Sequence, residues 1–155
     1  MSPWPMTLTL PAEEDTTRYA ARLAPRLRSG DTLLLSGPIG AGKSAFARAL
    51  IRARLGDPAH EVPSPTYTLV QTYGTGADEI WHADLYRLGS PDEIAELGLE
   101  DAFGRAICLV EWPDRLGPLA PDGALLASFA AGPEAHRLTL SGPPSWAARL
   151  EPALA

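Results

Sequence analysis

The sequence contains no asparagine, a single cysteine and a single lysine. Without asparagine, the Asn-Lys-x-Asp element by which GTP-binding switch proteins read guanine cannot be built, so an adenine nucleotide is favoured over a guanine one. Cys108 alone cannot close an intramolecular disulfide, and its place in an apolar run reads as a buried structural thiol suited to a reducing compartment. No stretch approaches the ~18 apolar residues of a membrane span, and the start Met1-Ser2-Pro3-Trp4 lacks the basic-then-apolar signature of a signal peptide. A cytoplasmic location without a membrane partner is the expectation. Positive charge is scarce as well: 13 basic residues face 19 acidic ones, a formal net charge of -6. The overall field therefore does not suit a surface that grips nucleic acid.

What is present fits one domain spanning residues 1–155. With 45% hydrophobic residues, the chain is long enough for one well-buried core and too short for two ordinary domains. Apolar runs and helical spacings alternate along it, predicting an α/β fold of the P-loop NTPase type, a mixed and largely parallel β-sheet flanked by helices. Strands are expected at 7–10, 32–35, 67–73, 79–81, 106–110, 124–130 and 137–140. The runs at 32–35 and 106–110 are continuous rather than alternating, as in strands covered on both faces. Apolar residues recur at helical spacing from Tyr19 to Leu27, where Pro25 should kink or end the helix. A second helix is expected from Ala45 to Leu55, closed by Gly56 and Pro58. A third should start at Ser90-Pro91-Asp92-Glu93, with Ser90 as N-cap, and run to about Gly98. Trp146 and Leu150, at helical spacing, read as core.

The segment that carries chemistry is Gly37-Pro38-Ile39-Gly40-Ala41-Gly42-Lys43-Ser44. It fits G-x-x-x-x-G-K-[ST] between an expected strand and an expected helix, the context a phosphate-binding loop requires. Glycines let the backbone turn its N–H groups toward phosphate oxygens, and the positive end of the helix dipole adds to that field. Twelve of the 13 basic residues are arginine, yet this position keeps lysine, a compact point charge suited to the β- and γ-phosphates of ATP or the β-phosphate of ADP. Ser44 offers a hydroxyl to Mg²⁺, a hard cation usually held together with substrate phosphates. Such a site also needs an acid at the end of a neighbouring strand, and Ile107-Cys108-Leu109-Val110-Glu111 supplies Glu111. Two further segments are dense in polar groups: Ser64-Pro65-Thr66 and His82-Ala83-Asp84-Leu85-Tyr86-Arg87. Read alone, the first is a proline turn before a strand and the second a solvated loop with a local Asp84–Arg87 pair.

In order, the phosphate loop, Ser64-Pro65-Thr66-Tyr67-Thr68-Leu69-Val70, His82-x-Asp84-Leu85-Tyr86-Arg87-Leu88 and Val110-Glu111-Trp112 closely resemble the TsaE (YjeE) family of ATPases, over about residues 12 to 118. The resemblance implies one P-loop domain that is required for the threonylcarbamoyladenosine modification of tRNA and acts with TsaB and TsaD. Transfer RNA would then be engaged indirectly, through the complex. The resemblance further implies nucleotide contacts at Gly37 to Ser44, a magnesium-linked acid at Glu111, a switch-like Ser64 to Thr66, a hydrolysis-critical Asp84, and Thr16 flanking the nucleotide. Two positions depart from the family pattern: many relatives carry Asp where this chain has Pro38 and Thr where it has Ser44. The first is a variable slot of the loop, and the second keeps the hydroxyl. Beyond Pro118 the resemblance fades, and the remaining residues read as scaffold. The main rival function is a P-loop small-molecule kinase, which would bring an arginine-bearing lid over the phosphates; no Arg-rich insertion is evident. A non-catalytic nucleotide-sensing subunit is a third possibility.

Overall fold

The continuous apolar runs can be buried only in strands covered on both faces, and they lie at the centre of the sheet. In a computed structural model, which describes residues 4–154, seven strands form one sheet in the order β1-β7-β6-β2-β5-β4-β3. These are β1 (Met6–Leu10), β2 (Thr32–Ser36), β3 (Val70–Tyr73), β4 (Ile80–Asp84), β5 (Ile107–Glu111), β6 (Leu125–Ala130) and β7 (His136–Ser141). The β6-β2-β5-β4 centre is parallel; β1-β7, β7-β6 and β4-β3 pair antiparallel. The N-terminal residues Met1-Ser2-Pro3, read above for a signal sequence, lie outside the described residues.

Side chains two apart along a strand share a face, which divides the core into two layers. Leu33, Leu35, Ile107 and Leu109 meet Ala20 and Leu23 of α1 (Glu13–Leu23), Phe46, Leu50 and Ile51 of α2 (Lys43–Leu55), and Trp146 and Leu150 of α5 (Ser145–Leu154). Leu34, Ala83 and Val110 face the other way, toward Ile94 of α3 (Pro91–Ala95), Leu99 of α4 (Leu99–Phe103) and Leu116 in the 3₁₀ segment Pro113–Leu119. Strands β1 and β6 alternate buried and exposed along their whole length, so that side of the sheet is covered on one face only.

Several boundaries differ from the sequence reading for identifiable reasons. The strand expected from residue 67 begins at Val70, because Leu69 takes a left-handed φ of 71° and donates its N–H to the Pro65 carbonyl at 2.7 Å. The helix expected to reach Gly98 stops at Ala95, and α4 starts after Gly98, whose φ is 81°. Ser90 has the extended backbone of an N-cap but makes no side-chain capping bond. Helix α2 begins at Lys43, two residues early. Pro25 ends α1 as expected, by entering a 3₁₀ turn over Ala24–Arg26. His82-Ala83-Asp84 belongs to β4 and is buried, rather than forming a solvated loop.

Trp146 and Leu150 are buried in the α1–α2–α5 layer, with Trp146 Nε1 donating to the Gly123 carbonyl at 2.9 Å. Leu150→Ala should therefore cost about 2–5 kcal/mol. In a chain of this size each kcal/mol lowers the thermal midpoint by about 2–4 °C. An unchanged midpoint in a calorimetric scan would remove α5 from the core.

Candidate nucleotide-binding site

The loop after β2 takes its shape from close contacts with the strand beside it. Gly37 has φ 133°, and a Cβ there would lie 2.3 Å from the Phe129 carbonyl oxygen of β6, so only glycine fits. The Ala41 N–H closes a turn onto the Pro38 carbonyl at 3.3 Å. Gly42 (φ 108°) is the left-handed residue that enters α2, its carbonyl accepting from Phe46 N at 3.0 Å. The free N–H groups of the first turn of α2 are thereby left at the mouth of a cavity, the arrangement that binds anions.

That cavity, about 760 Å³, lies at the carboxyl ends of the parallel strands, where open α/β sheets take their ligands. Ile39, Gly40, Gly42, Lys43 and Ser44 form its floor; Leu10, Pro11 and Thr16 line one wall, and Thr66, Asp84, Glu111 and Trp112 another. Gly37, Pro38 and Ala41 do not line it. They shape the loop from behind, with Ala41 fully buried. The remaining wall is the hairpin between β6 and β7, residues 132–136, which the sequence reading assigned to scaffold. No arginine is among the described residues that line the cavity.

Glu111 is the last residue of β5, in register with Leu35 on one side and Asp84 on the other. It is 2% exposed, and both of its oxygens are engaged. Ser44 Oγ donates to Oε1 at 2.9 Å, and His82 Nε2 hydrogen-bonds Oε2 at 2.7 Å. Burial alone would raise its pKa; the hydrogen bond and charge of His82, the Ser44 hydroxyl and the nearby Lys43 together outweigh burial and hold the carboxyl below its ordinary value. A carboxylate and a hydroxyl side by side are hard oxygen donors that suit Mg²⁺. With no cluster of three or more His, Cys, Asp or Glu among the described residues to complete a protein cage, the remaining ligands would be phosphate and water. Lys43 is 5% exposed. Its Nζ donates to the Gly37 carbonyl and sits 3.5 Å from the centroid of the Trp112 ring. Burial lowers its pKa more than Glu111, Asp84 and Asp114 raise it.

Asp84 ends β4, 7% exposed. Its Oδ1 accepts from Tyr86 N at 3.0 Å and its Oδ2 from Thr66 Oγ1 at 3.3 Å, while Thr66 shares a 2.8 Å hydrogen bond with Ser64. The local pair with Arg87 envisaged from sequence is replaced by these contacts, because Arg87 lies over the Tyr67 ring, 4.9 Å from its centroid. Sequence reasoning gave no separate role to His82 or His136. The first had a signal: two residues before Asp84 on a strand, it faces the same way. The second had none, since only the β6–β2 pairing brings the hairpin beside the phosphate loop.

The family profile described as "Threonylcarbamoyl adenosine biosynthesis protein TsaE" matches residues 10–138. The chain belongs to the TsaE family. A "tRNA threonylcarbamoyladenosine biosynthesis protein TsaE" from Haemophilus influenzae is 32% identical over 141 residues, covering 87% of this chain and 88% of that protein. Its counterpart from Rickettsia felis is 45% identical over 107 residues, covering 69% of this chain but only 62% of that protein, less than two thirds of its length. Among solved structures, "Crystal structure of Bacillus subtilus YdiB" superposes with a TM-score of 0.75 at 25% identity, covering 96% of this chain and 93% of that one. The TsaE match extends beyond the motifs at residues 12 to 118. It continues past Pro118 to residue 138 and so takes in the hairpin wall, and every cavity-lining residue from Leu10 to His136 falls within it.

The depressed pKa of Glu111 fixes the sign of a pH effect. The unfolded chain binds this proton at higher pH than the folded one, so the stabilisation is present above the ordinary carboxylate pKa and is lost as pH falls through the lower folded value. The difference in unfolding free energy between wild type and Glu111→Gln, from denaturant titrations at about pH 7 down to about pH 3, should therefore shrink toward acid. A difference that does not change with pH would show that the carboxyl is not held low.

Proposed function

We propose that this chain is the magnesium-dependent, ATP-binding and ATP-hydrolysing subunit required for N6-threonylcarbamoyladenosine modification of tRNA, working in the cytoplasm with TsaB and TsaD. The observation that carries the reading is the Ser44 hydroxyl lying 2.9 Å from a Glu111 oxygen, at the N-terminus of α2 and beside the chain's only lysine. The chemistry that Mg²⁺ would supply there is neutralisation of charge on the phosphates. Ser44 and Glu111 would hold it, Lys43 and the loop amides would take the β- and γ-phosphates, and Thr16 would flank the nucleotide. Family membership supports the pathway, and action with TsaB and TsaD is what the family resemblance implies. Transfer RNA is then met through the complex, in keeping with the net charge of -6. No helix among the described residues is long and apolar enough to cross a membrane.

The lack of arginine along the cavity favours slow hydrolysis over phosphoryl transfer to a small molecule. Kinases of that kind bring arginine over the phosphates, and some P-loop NTPases receive theirs from a partner. Turnover should accordingly be slow for the chain alone and faster in the complex.

Lys43→Ala should leave the domain folded while weakening MgATP binding roughly 10- to 150-fold, the equivalent of losing a charge-assisted contact of about 1.5–3 kcal/mol. Calorimetric titration decides it, and unaltered affinity would remove the phosphate-loop reading.

Asp84 ends β4, apart from the loop and the start of α2 that would hold ground-state phosphates, so it can orient water or couple the loop without adding much affinity. Asp84→Ala should keep near-normal ATP binding and lose about 10²–10⁴ in turnover in the presence of TsaB and TsaD. Thr66→Ala, which removes one of the two hydrogen bonds on that carboxylate, should reproduce part of the loss, whereas Arg87→Ala should not. If affinity falls as far as turnover in the Asp84 variant, the residue belongs to the nucleotide-holding set instead.

A further inference from the structure

Glu111 offers two oxygens, and only one of them is turned toward the place where a cation would sit. Oε1 lies 2.9 Å from Ser44 Oγ, while Oε2 is taken by His82 Nε2 at 2.7 Å. His82 is 1% exposed and does not line the cavity, so it does not meet a nucleotide itself. It is in register with Leu109, two residues before Glu111 on the neighbouring parallel strand, and its ring reaches diagonally across the sheet. Its other nitrogen, Nδ1, is buried with no hydrogen-bond partner among the described residues. A leucine or methionine would fill this apolar face without burying an unpartnered ring nitrogen. What neither could supply is a donor for Oε2.

We propose that His82 is a positioning residue that confines Glu111 to a single-oxygen engagement of the cation and so favours Mg²⁺ over Ca²⁺ at the nucleotide site. The inference rests on the magnesium–nucleotide reading above. Mg²⁺ demands near-octahedral geometry at about 2.0–2.1 Å, whereas Ca²⁺ accepts six to eight oxygens at about 2.3–2.6 Å, bidentate carboxylates included. With Oε2 tied to the imidazole, Glu111 cannot swing both oxygens toward Ser44. Without the imidazole it is free to do so, and a carboxylate in two rotational positions is a poor partner for a cation of strict geometry. Groups that orient a metal-holding side chain from behind are typically worth about 10–100-fold in metal affinity.

The test is the ATP affinity of the full chain as a function of added Mg²⁺ or Ca²⁺, for wild type, His82→Leu and His82→Gln, with unfolding midpoints recorded without metal or nucleotide to confirm folding. The glutamine amide keeps a donor near the position of the imidazole Nε2; leucine has none. The Mg²⁺ concentration giving half-maximal ATP binding should rise about 10–100-fold in His82→Leu, and the Ca²⁺ requirement should rise much less. His82→Gln should stay close to wild type for both cations. Should the leucine variant fail to fold, His82→Met, equally without a donor, takes its place. Equal weakening with Mg²⁺ and Ca²⁺, or no weakening with either, overturns the inference and leaves the nucleotide reading standing. A folded His82→Gln that behaves like leucine also overturns it, since the donor would then not matter. A wild-type chain whose ATP binding ignores both cations overturns the magnesium reading and this inference with it.

Discussion

A carboxylate that is 2% exposed cannot remain ionised unless its surroundings replace the water it has lost, and the centre of this protein is arranged to do so for Glu111. The replacements come from two elements: Lys43 and the Ser44 hydroxyl from the start of α2, and the His82 imidazole from β4. They converge only because β2, β5 and β4 lie side by side in parallel, with Leu35 and Asp84 both in register with Glu111. A slip of one residue along β5 would turn Glu111 to the opposite face, among the apolar side chains of Leu34, Ala83 and Ile94. The register of the sheet and the charge state of the site are thus one constraint.

The other fixed point is steric. Gly37 passes so close to the Phe129 carbonyl that no side chain fits, and Phe129 in turn meets Phe46 of α2 edge-on, with ring centroids 5.5 Å apart. Strand β6 therefore braces the phosphate loop and the helix after it together. The hairpin that continues from β6 reaches over the same loop, and a Cβ on Gly42 would lie 3.7 Å from His136 Nδ1. Residues far along the chain belong to the site because the sheet order puts β6 next to β2.

This explains what could be read from the sequence and what could not. The runs 32–35 and 106–110 were legible as strands covered on both faces because such burial leaves a continuous apolar signature, and the glycine pattern between β2 and α2 has a mechanical reason at each position. Ser64-Pro65-Thr66 and Asp84 were picked out by family resemblance, and the structure joins them through the Thr66–Asp84 hydrogen bond. The polar run from His82 to Arg87 misled because strand residues that face a site look, in sequence, like a solvated loop. The strand expected from Tyr67 was cut short by the left-handed Leu69, a conformation that no residue type at that position announces. The hairpin wall depends on pairing between strands some 90 residues apart in their alignment, such as Ser36 with Ser128, and long-range register leaves no local trace.

Among 12 arginines the one lysine stands where the protein itself offers a cation few partners. The Lys43 ammonium has one backbone carbonyl and the face of Trp112, and burial depresses its pKa despite the neighbouring acids. A single carbonyl and a ring face suit a compact ammonium, whose three donors rotate freely about one axis. A guanidinium would bring five donors in a fixed fork and leave most of them unpaired in a largely buried spot. An under-compensated cation of this kind gains from any anionic oxygen brought beside it. Lysine therefore suits the protein's own contacts at this position, and replacing it with arginine would disturb them directly.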